Sequence, residues 1–288
     1  MIFNYNKDKE VVALLGAGSM GTAIVERVGS NRTILLGDIS EQSLKNSAEK
    51  LQYSGYAVET MIVDAKDRDS LYAFAKRASE LGPVKYFINT AGASPNQANP
   101  QHIIDLDLIG SAYALDAFGE VMMKGGAGLL ISSMTGYMLP EPLGNQKDYE
   151  LTMTPSDKLK DLSFLQHDAV PNSGVAYVLA KHANHLRVMK AAMDWGKRGA
   201  RINTISPGIV VTPLAYDEFN AAGDAYQQMI ESSPAKRVGN PAEIATAAAY
   251  LLSDEASFIT GTDLLIDGGM IAAIKTGAYQ LQLGGKEN

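Results

Sequence analysis

Three glycines near the start of the chain are the first residues whose type and spacing could do chemistry. Gly16, Gly18 and Gly21 follow the apolar run VVALL and precede a helical pattern, TAIVERV. Glycines permit a tight turn and a close approach of the backbone to a pyrophosphate, whose charge the free amides at the start of the following helix stabilise. This order of strand, turn and helix predicts a dinucleotide site in which Ser19 and Met20 complete the turn.

An acidic residue follows at the distance where such a site meets the ribose of adenosine. Asp38 ends the second apolar run, 20 residues after Gly18. Its carboxylate could accept hydrogen bonds from the ribose hydroxyls, and it would repel a 2′-phosphate. Ile39 follows it and the glycine turn holds no basic residue, so the pattern favours NAD(H) over NADP(H). Asp38 could instead be a turn residue before a helix N-cap, and Asp64, which ends the third run, has the same two interpretations.

Tyr177 and Lys181 are a second chemical pair, four residues apart in AYVLAK, so both side chains project from one face of a helix. The spacing alone is weak, because Tyr72 and Lys76 repeat it. Context separates the two matches. Tyr72 precedes the fourth strand, whereas Tyr177 follows the serine pair that ends at Ser133, after the fifth strand. Tyr177 is therefore expected at the carboxyl edge of the sheet, where open parallel sheets bind ligands.

The elements that must position these residues can be predicted from hydrophobic periodicity. Seven short β-branched or leucine-rich runs alternate with longer stretches of helical period: 11–15, 33–37, 57–63, 84–88, 127–132, 200–205 and 262–266. Continuous apolar strands, each followed by a helix, indicate a parallel sheet covered on both faces. The predicted fold class is therefore α/β, a doubly wound Rossmann fold with a seven-stranded parallel sheet.

One stretch interrupts this alternation, between the fifth strand and the helix that begins near Gly174. It carries four prolines and mixed charge, and loops of this length are usually functional or disordered. We interpret 137–172 as an inserted substrate lid with a short helix over 156–166, not as a second domain. The expected organisation is one NAD-binding domain over 1–288, with a C-terminal tail over 270–288.

Composition excludes several classes of protein. The 288 residues include no cysteine, which rules out disulfide scaffolds, thiolate metal sites and cysteine nucleophiles. The 25 basic and 32 acidic side chains give a net charge of −7, which argues against nucleic acid as a partner. The first ten residues are too polar for a signal peptide, and no uncharged run is apolar enough to span a membrane. A soluble, cytoplasmic protein with no membrane partner is expected.

Taken together and in order, these blocks resemble the short-chain dehydrogenase/reductase family over nearly the whole chain. The matching segments are the glycine turn at 16–21, Asp38, Asp64, Asn89-Thr-Ala-Gly92, Ile131-Ser-Ser133, Tyr177-xxx-Lys181, 201–208 with Thr212, and the closing stretch 236–269. The closing stretch favours the short form of the family over the longer sugar-nucleotide epimerases. The stretch 173–214 is also similar to bacterial hydroxysteroid dehydrogenases and carbonyl reductases.

This resemblance implies an NAD-dependent oxidoreductase that interconverts a secondary alcohol and a ketone by hydride transfer. Tyr177 would exchange a proton with the substrate oxygen, Ser133 would hydrogen-bond that oxygen, and Ser132 would be structural. A tyrosine base at neutral pH needs about 4 kcal/mol of phenolate stabilisation, which Lys181 and the cationic nicotinamide would supply. The implied cofactor contacts are Gly16, Gly18, Ser19, Met20, Gly21, Asp38, Ile39, Asp64, Ala65, Asn89, Ala91, Gly92, Tyr177, Lys181, Pro207, Val210 and Thr212. No metal is required.

Three departures from the family pattern stand out. The glycine turn is one residue shorter than the TGxxxGxG of most short-form members. The family's asparagine in N-x-x-G is replaced in Asp107-Leu-Ile-Gly110, and Asp107 could be a member of a proton relay or purely structural. Ser133 and Tyr177 are 44 residues apart, because roughly 31 residues are inserted, and these are expected to cover the substrate. Six apolar residues near the insertion and after Thr212 suggest an apolar or aromatic-tolerant pocket: Met138, Leu139, Leu143, Leu214, Tyr216 and Phe219.

Two alternatives remain open. A 3-oxoacyl reductase would normally use NADPH and a basic residue near position 38 or 39, so Asp38 argues against it. A non-catalytic NAD-sensing scaffold protein is a hypothesis of another class, supported only by Asp107.

The resemblance also implies a homodimer or homotetramer. His182 and His185, three residues apart on the Tyr177 helix, are interpreted as surface or subunit-contact residues and not as metal ligands.

Overall fold

Seven parallel strands form the central sheet. The computed structural model describes residues 8–96, 98–139, 144–166, 169–212, 215 and 224–280. The strands are β1 (Val11–Leu15), β2 (Thr33–Asp38), β3 (Ala57–Ile62), β4 (Val84–Asn89), β5 (Met122–Ile131), β6 (Arg201–Pro207) and β7 (Asp263–Ile266). Their order is β3-β2-β1-β4-β5-β6-β7, and every pairing is parallel. The predicted fold class is confirmed, and the strand order reverses direction between β1 and β4, where such sheets form a ligand crevice.

Helices cover both faces of the sheet. They are α1 (Ser19–Val28), α2 (Glu41–Tyr53), α3 (Arg68–Leu81), α4 (Pro100–Ile103), α5 (Ser111–Gly119), α6 (Asn145–Met153), α7 (Ser173–Gly196), α8 (Asp224–Ser232), α9 (Pro241–Leu252) and α10 (Met270–Lys275). A π-helix, Ile104–Gly110, joins α4 to α5 without a break. None of the described helices is both long and apolar enough to cross a membrane.

The alternation of side chains along the strands divides the core in two. In β1, Val11 and Ala13 pack with α3, α5 and α7, whereas Val12 and Leu14 pack on the opposite face with α1, α2 and α9. All four are fully buried. Strands buried on both faces read as nearly unbroken apolar runs, as β1 and β2 do, whereas the edge strands β3 and β7 are only partly buried.

The described part of the insertion packs against α7. Asp148 of α6 lies 2.9 Å from Nε2 of His182, and the buried guanidinium of Arg187 donates to three carbonyls at the end of α6. Over 156–166, where a single short helix is predicted, the chain forms two 3₁₀ helices, Ser156–Asp161 and Ser163–Leu165. With three residues per turn, they bring Leu159, Leu162 and Leu165 to one side, facing the core.

Candidate active site

A cleft of about 640 Å³ opens at the carboxyl ends of β1, β4, β5 and β6. The structure brings together, along its wall, predicted residues from widely separated parts of the chain. They are Gly18, Ser19, Met20, Gly21, Gly92, Asp107, Ser133, Tyr177, Lys181, Pro207, Val210 and Thr212. The repeated motif at Tyr72 and Lys76 is not part of this wall, and the Tyr72 hydroxyl instead lies 3.5 Å from Glu120 on an exposed surface.

Tyr177 and Lys181 project into the cleft from one face of α7. The helix begins at Ser173 because the side chain of Asn172 caps it by accepting from the Val175 amide at 2.9 Å. Nζ of Lys181 lies 5.1 Å from the centre of the Tyr177 ring. Lys181 and Tyr177 also attract each other electrostatically, so the lysine cation favours negative charge on the phenol.

Asp107 forms a direct ion pair with Lys181. Its Oδ2 lies 2.9 Å from Nζ, and the two side chains are 0% and 6% exposed. Its Oδ1 accepts from the Ala93 amide at 2.9 Å. Burial by itself would lower the pKa of Lys181, but attraction to Asp107, and then to Tyr177, outweighs burial and raises that pKa. Lys181 is therefore a cation throughout the neutral range.

The pair fits because the chain leaves room for it. A Cβ at Gly92 would lie 3.0 Å from Oδ2 of Asp107 and 3.4 Å from Nζ of Lys181. Asp107 itself projects from the π-helix, a conformation that is frequent at functional sites. The π-helix and Gly92 together bring a fully buried carboxylate to the lysine.

The side chains of the two serines after β5 point in different directions. Ser133 lines the cleft, and its Oγ accepts from the Thr135 amide at 3.2 Å. Oγ of Ser132 is buried and donates to the backbone carbonyl of Lys181 at 2.9 Å. Successive residues of extended chain point to opposite sides, so only one of the two can face a substrate.

The glycine turn presents an uncapped helix start. Gly18 is the N-cap of α1, and no side chain caps that helix. A Cβ at Gly16 would lie 2.6 Å from the Ala91 nitrogen, and one at Gly21 would lie 2.7 Å from the Gly16 carbonyl oxygen, whereas one at Gly18 would meet nothing within 4 Å. Packing therefore requires two of the glycines, and the third borders open space. Amides of a first turn that face a cleft suit a pyrophosphate.

Asp38 lies beside this turn. Its Oδ2 accepts from the Ala17 amide and its Oδ1 from the Ser40 amide, both at 2.8 Å, and Ser40 is the N-cap of α2. The carboxylate thus supports a turn before an N-cap, as one interpretation held, and keeps lone pairs for further donors. Ile39 is 63% exposed.

Several other predicted cofactor residues lie outside the cleft wall. Oδ1 of Asp64 accepts from the Lys66 amide at 2.9 Å, and the adjoining Ala65 is buried. The buried Asn89 accepts from the Ala91 amide at 3.0 Å, which orders the turn after β4. Within the described ranges, no three histidine or carboxylate side chains are grouped as a metal site requires.

The structure adds residues that sequence reasoning missed. They are Ser43, Asn46, Ala93, Ser94, Pro95, Met134, Thr135, Ala215 and Tyr226. Ser43 and Asn46 lie three residues apart on α2, a helical spacing just after Asp38 that could have predicted a second contact near the adenosine. Tyr226 comes from α8, and no local pattern connects it to the cleft.

Of the six residues expected to make an apolar pocket, Met138 packs with Met134 and α10, and Leu139 is partly buried. Leu143, Leu214, Tyr216 and Phe219 lie outside the described residues, and the lid stays a prediction. The interpretation of His185 as a surface residue is wrong, because its side chain is 9% exposed and bonds to Ser206.

Comparison with known proteins gives the class. A model of the short chain dehydrogenase family matches residues 10–144, and one described as Enoyl-(Acyl carrier protein) reductase matches 152–271. The short-chain dehydrogenase/reductase bsc3 of Alternaria brassicicola is 35% identical over 92% of this chain and 96% of its own. The chain belongs to the short-chain dehydrogenase/reductase family, as predicted. Enzymes of this family use a nicotinamide cofactor, NAD or NADP, and its members act on alcohols and ketones.

More distant relatives carry specific activities in their names. The galactitol 2-dehydrogenase (L-tagatose-forming) of Cereibacter sphaeroides is 27% identical over 92% of this chain and 96% of its own. The NADH-dependent L-xylulose reductase of Ambrosiozyma monospora is 28% identical over 91% and 95%. Among solved structures, a short-chain dehydrogenase/reductase from Serratia marcescens has a TM-score of 0.72 at 22% identity, over 92% of this chain and 99% of its own, which supports the fold. The finer resemblance to hydroxysteroid dehydrogenases stays a prediction.

Proposed function

We propose that this protein is an NAD(H)-dependent oxidoreductase that interconverts a secondary alcohol and a ketone. The observation that carries the proposal is one cleft that holds Tyr177, Lys181 and Ser133 together with the uncapped start of α1. A proton donor, a cation beside it and an anion-binding helix start are the groups that hydride transfer to a carbonyl requires.

The residues of the cleft suit the nicotinamide cofactor along its length. Amides at 19–21 would bind the pyrophosphate, Asp38 the adenosine ribose, Lys181 the nicotinamide ribose, and the 207–212 loop the carboxamide. When bound, the cofactor supplies the hydride in reduction or accepts it in oxidation. Asp38 supports NAD(H), because a 2′-phosphate would meet its negative charge and the Asp38 carboxylate is already beside the turn, 2.8 Å from the Ala17 amide.

The proton chemistry in reduction follows from the side chains. Tyr177 gives its hydroxyl proton to the carbonyl oxygen as the carbonyl carbon is reduced, and Ser133 donates a hydrogen bond to that oxygen. Lys181, a cation 5.1 Å from the Tyr177 ring, stabilises the phenolate that forms. In oxidation the same groups act in reverse, and Tyr177 takes the hydroxyl proton. Asp107 holds the Lys181 ammonium through its ion pair and is our candidate for the next group in the relay.

The substrate class is proposed from the relatives and from the cleft. Relatives are named for galactitol, L-xylulose and D-threitol, all of which carry several hydroxyl groups. One more is named levodione reductase. The cleft combines hydroxyl-bearing Thr135 and Tyr226 with apolar Met134 and Ile209. We propose a small to medium ketone or secondary alcohol, in a homodimer or homotetramer located in the cytoplasm.

The experiment is a spectrophotometric assay of NADH oxidation by the purified protein, with ketoses, cyclic diketones, aryl ketones and a 3-oxoacyl thioester. We expect turnover with at least one ketone and a lower rate with NADPH. Tight NADH binding without turnover of any substrate would favour the non-catalytic NAD-sensing scaffold. A preference for NADPH with the thioester would favour the 3-oxoacyl reductase.

A further inference from the structure

Four polar side chains form a second cluster beside the cleft. In this cluster, which we call the Asp263 cluster, the Tyr137 hydroxyl donates to Oδ2 of Asp263 at 2.7 Å, and the Ser206 hydroxyl donates to Oδ1 at 2.9 Å. Nε2 of His185 lies 2.8 Å from the Ser206 oxygen and 3.6 Å from Oδ1 of Asp263. The proposed proton chemistry uses none of these four side chains.

The Asp263 cluster joins four elements that build the active site. His185 lies one turn after Lys181 on α7, on the same helix face. Ser206 directly precedes Pro207, where β6 meets the predicted nicotinamide loop. Tyr137 ends the 3₁₀ helix Met134–Tyr137, whose N-cap is Ser133. Asp263 begins β7 and is 7% exposed.

The short segment that carries Ser133 is therefore held from both ends. At one end, Ser132 donates to the Lys181 carbonyl at 2.9 Å. At the other end, Tyr137 is fixed by Asp263, and its ring centre lies 5.0 Å from that of His185. Between them, a Cβ at Gly136 would lie 2.7 Å from Cε1 of His185 and 2.9 Å from the Lys181 carbonyl carbon. The segment lies on the backbone of the catalytic helix with no spare room.

Only one assignment of the protons satisfies every hydrogen bond in the cluster. Ser206 has a single hydroxyl proton and gives it to Asp263, so Nε2 of His185 must donate to the Ser206 oxygen. Burial lowers the pKa of His185 in spite of attraction to Asp263, so the ring is neutral with its proton on Nε2. Burial, and then the bond to Asp263, raises the pKa of Tyr137, which keeps its proton for donation. One buried carboxylate thus orders three donors.

We propose that Asp263 is a positioning residue, which sets the place of Ser133 relative to Tyr177 and Lys181 through Tyr137, Ser206 and His185. The proposal rests on the function proposed above, since it needs Ser133 to act on the substrate oxygen. A buried carboxylate whose donors are removed becomes costly, and its neighbours must shift. A shift of the Ser133 segment by a fraction of an ångström weakens a hydrogen bond to the substrate oxygen.

The test is a double-mutant cycle on the rate of ketone reduction. Tyr137→Phe removes one hydroxyl and leaves the core packing in place, and we expect kcat to fall about ten-fold while KM for NADH changes less than about two-fold. If Tyr137 acts through Ser133, its effect should nearly vanish once the serine hydroxyl is absent. The double variant Ser133→Ala, Tyr137→Phe should then have a kcat within about two-fold of that of Ser133→Ala alone. Asp263→Asn should behave as Tyr137→Phe does.

Two further variants separate positioning from general loss of structure. His185→Gln retains an Nε2 donor and should keep kcat within about two-fold, whereas His185→Leu should lower it like Tyr137→Phe. The matched control is Lys197→Ala, which removes an exposed bond to Asp194 at the far end of the same helix, outside the cleft, and should leave kcat unchanged. Unchanged kcat in Tyr137→Phe, or fully multiplicative effects in the cycle, would overturn the proposal. A wild type that reduces no ketone would overturn the proposed function, and an unaffected Ser133→Ala would overturn the role of the serine and the proposal together.

Discussion

At the scale of single residues, the buried pair of Asp107 and Lys181 departs most clearly from the family pattern. An asparagine would offer the lysine an uncharged oxygen, whereas Asp107 offers a carboxylate at 2.9 Å, with no solvent exposure. Removing one partner of a buried pair leaves an uncompensated charge, which is more costly than the pair itself. Replacement of either residue should therefore lower the free energy of unfolding as well as the rate of catalysis.

The first prediction concerns the pH dependence of that stability. The pKa of Lys181 is raised in the folded protein, so the stabilisation by the wild-type pair should be complete below the unfolded value of about 10.4 and be lost as the pH rises from there through the raised folded value. In Asp107→Asn, burial remains and most of the opposing attraction is gone, so the folded pKa should fall below the unfolded one. The free energy of unfolding of the variant should then rise with pH over the alkaline range, by up to about 1.4 kcal/mol per unit. Urea denaturation from pH 7 to 11 measures how the free energy of unfolding changes with pH in the wild type and in Asp107→Asn. The same pH dependence in both proteins would contradict this account.

Residue types and spacing predicted much of the site at this scale. Tyr177, Lys181, Ser133 and the glycine turn each have a local signature that survives without tertiary information. The Asp263 cluster has none, because its members are up to 126 residues apart and come together only through tertiary packing of two strands, a 3₁₀ helix and α7. The burial of His185 was missed for the same reason, since its partner Ser206 comes from β6.

At the scale of elements, the π-helix is the feature that aims Asp107. It requires a close approach between Gly110 and the turn after β3, where a Cβ at Gly110 would clash with the carbonyl oxygen of Ala65. The sequence showed Gly110 only as part of a family motif, since π-helices have no reliable periodicity signal. The central strands β1 and β2 were predicted well because burial on both faces imposes a nearly unbroken apolar pattern.

The second prediction tests this close approach. Gly110→Ala should lower the free energy of unfolding by about 1–3 kcal/mol, because the added methyl group must displace backbone. Because the same π-helix aims Asp107 at Lys181, the substitution should also shift Asp107 and lower the rate of ketone reduction. Gly196→Ala is the matched control, since a Cβ there meets nothing within 4 Å at the end of α7, and it should be neutral or slightly stabilising. Equal stability of the two variants in thermal and urea denaturation would contradict the assignment.

At the scale of the whole molecule, the cleft draws on four strand ends and on helices from both layers of the fold. The parallel sheet could be predicted from the alternation of strands and helices, but the width of the cleft and the contribution of α8 could not, since they depend on how distant loops pack. A ligand that spans the cleft should therefore stabilise the entire fold.

The third prediction is that NADH protects the protein against heat more than NADPH does. At 100 times its dissociation constant a ligand adds about 2.7 kcal/mol, which for a chain of this size raises Tm by about 5 °C or more. Asp38→Asn should narrow the difference between the two cofactors, because it removes the charge that a 2′-phosphate meets. Differential scanning fluorimetry at matched concentrations measures this without any substrate, and equal protection by both cofactors in the wild type would show that Asp38 does not select NAD(H).

The most direct test of the central claim compares the two tyrosines that share a Tyr-xxx-Lys motif. Tyr177→Phe should lower kcat for ketone reduction by about 10²–10⁴-fold, the range for loss of a general acid, while NADH still binds. Tyr72→Phe, which alters the motif outside the cleft, should keep wild-type kcat. Steady-state NADH oxidation by the three proteins decides the matter, and a Tyr177→Phe variant as active as the wild type would contradict the assignment of this cleft as the site of hydride transfer.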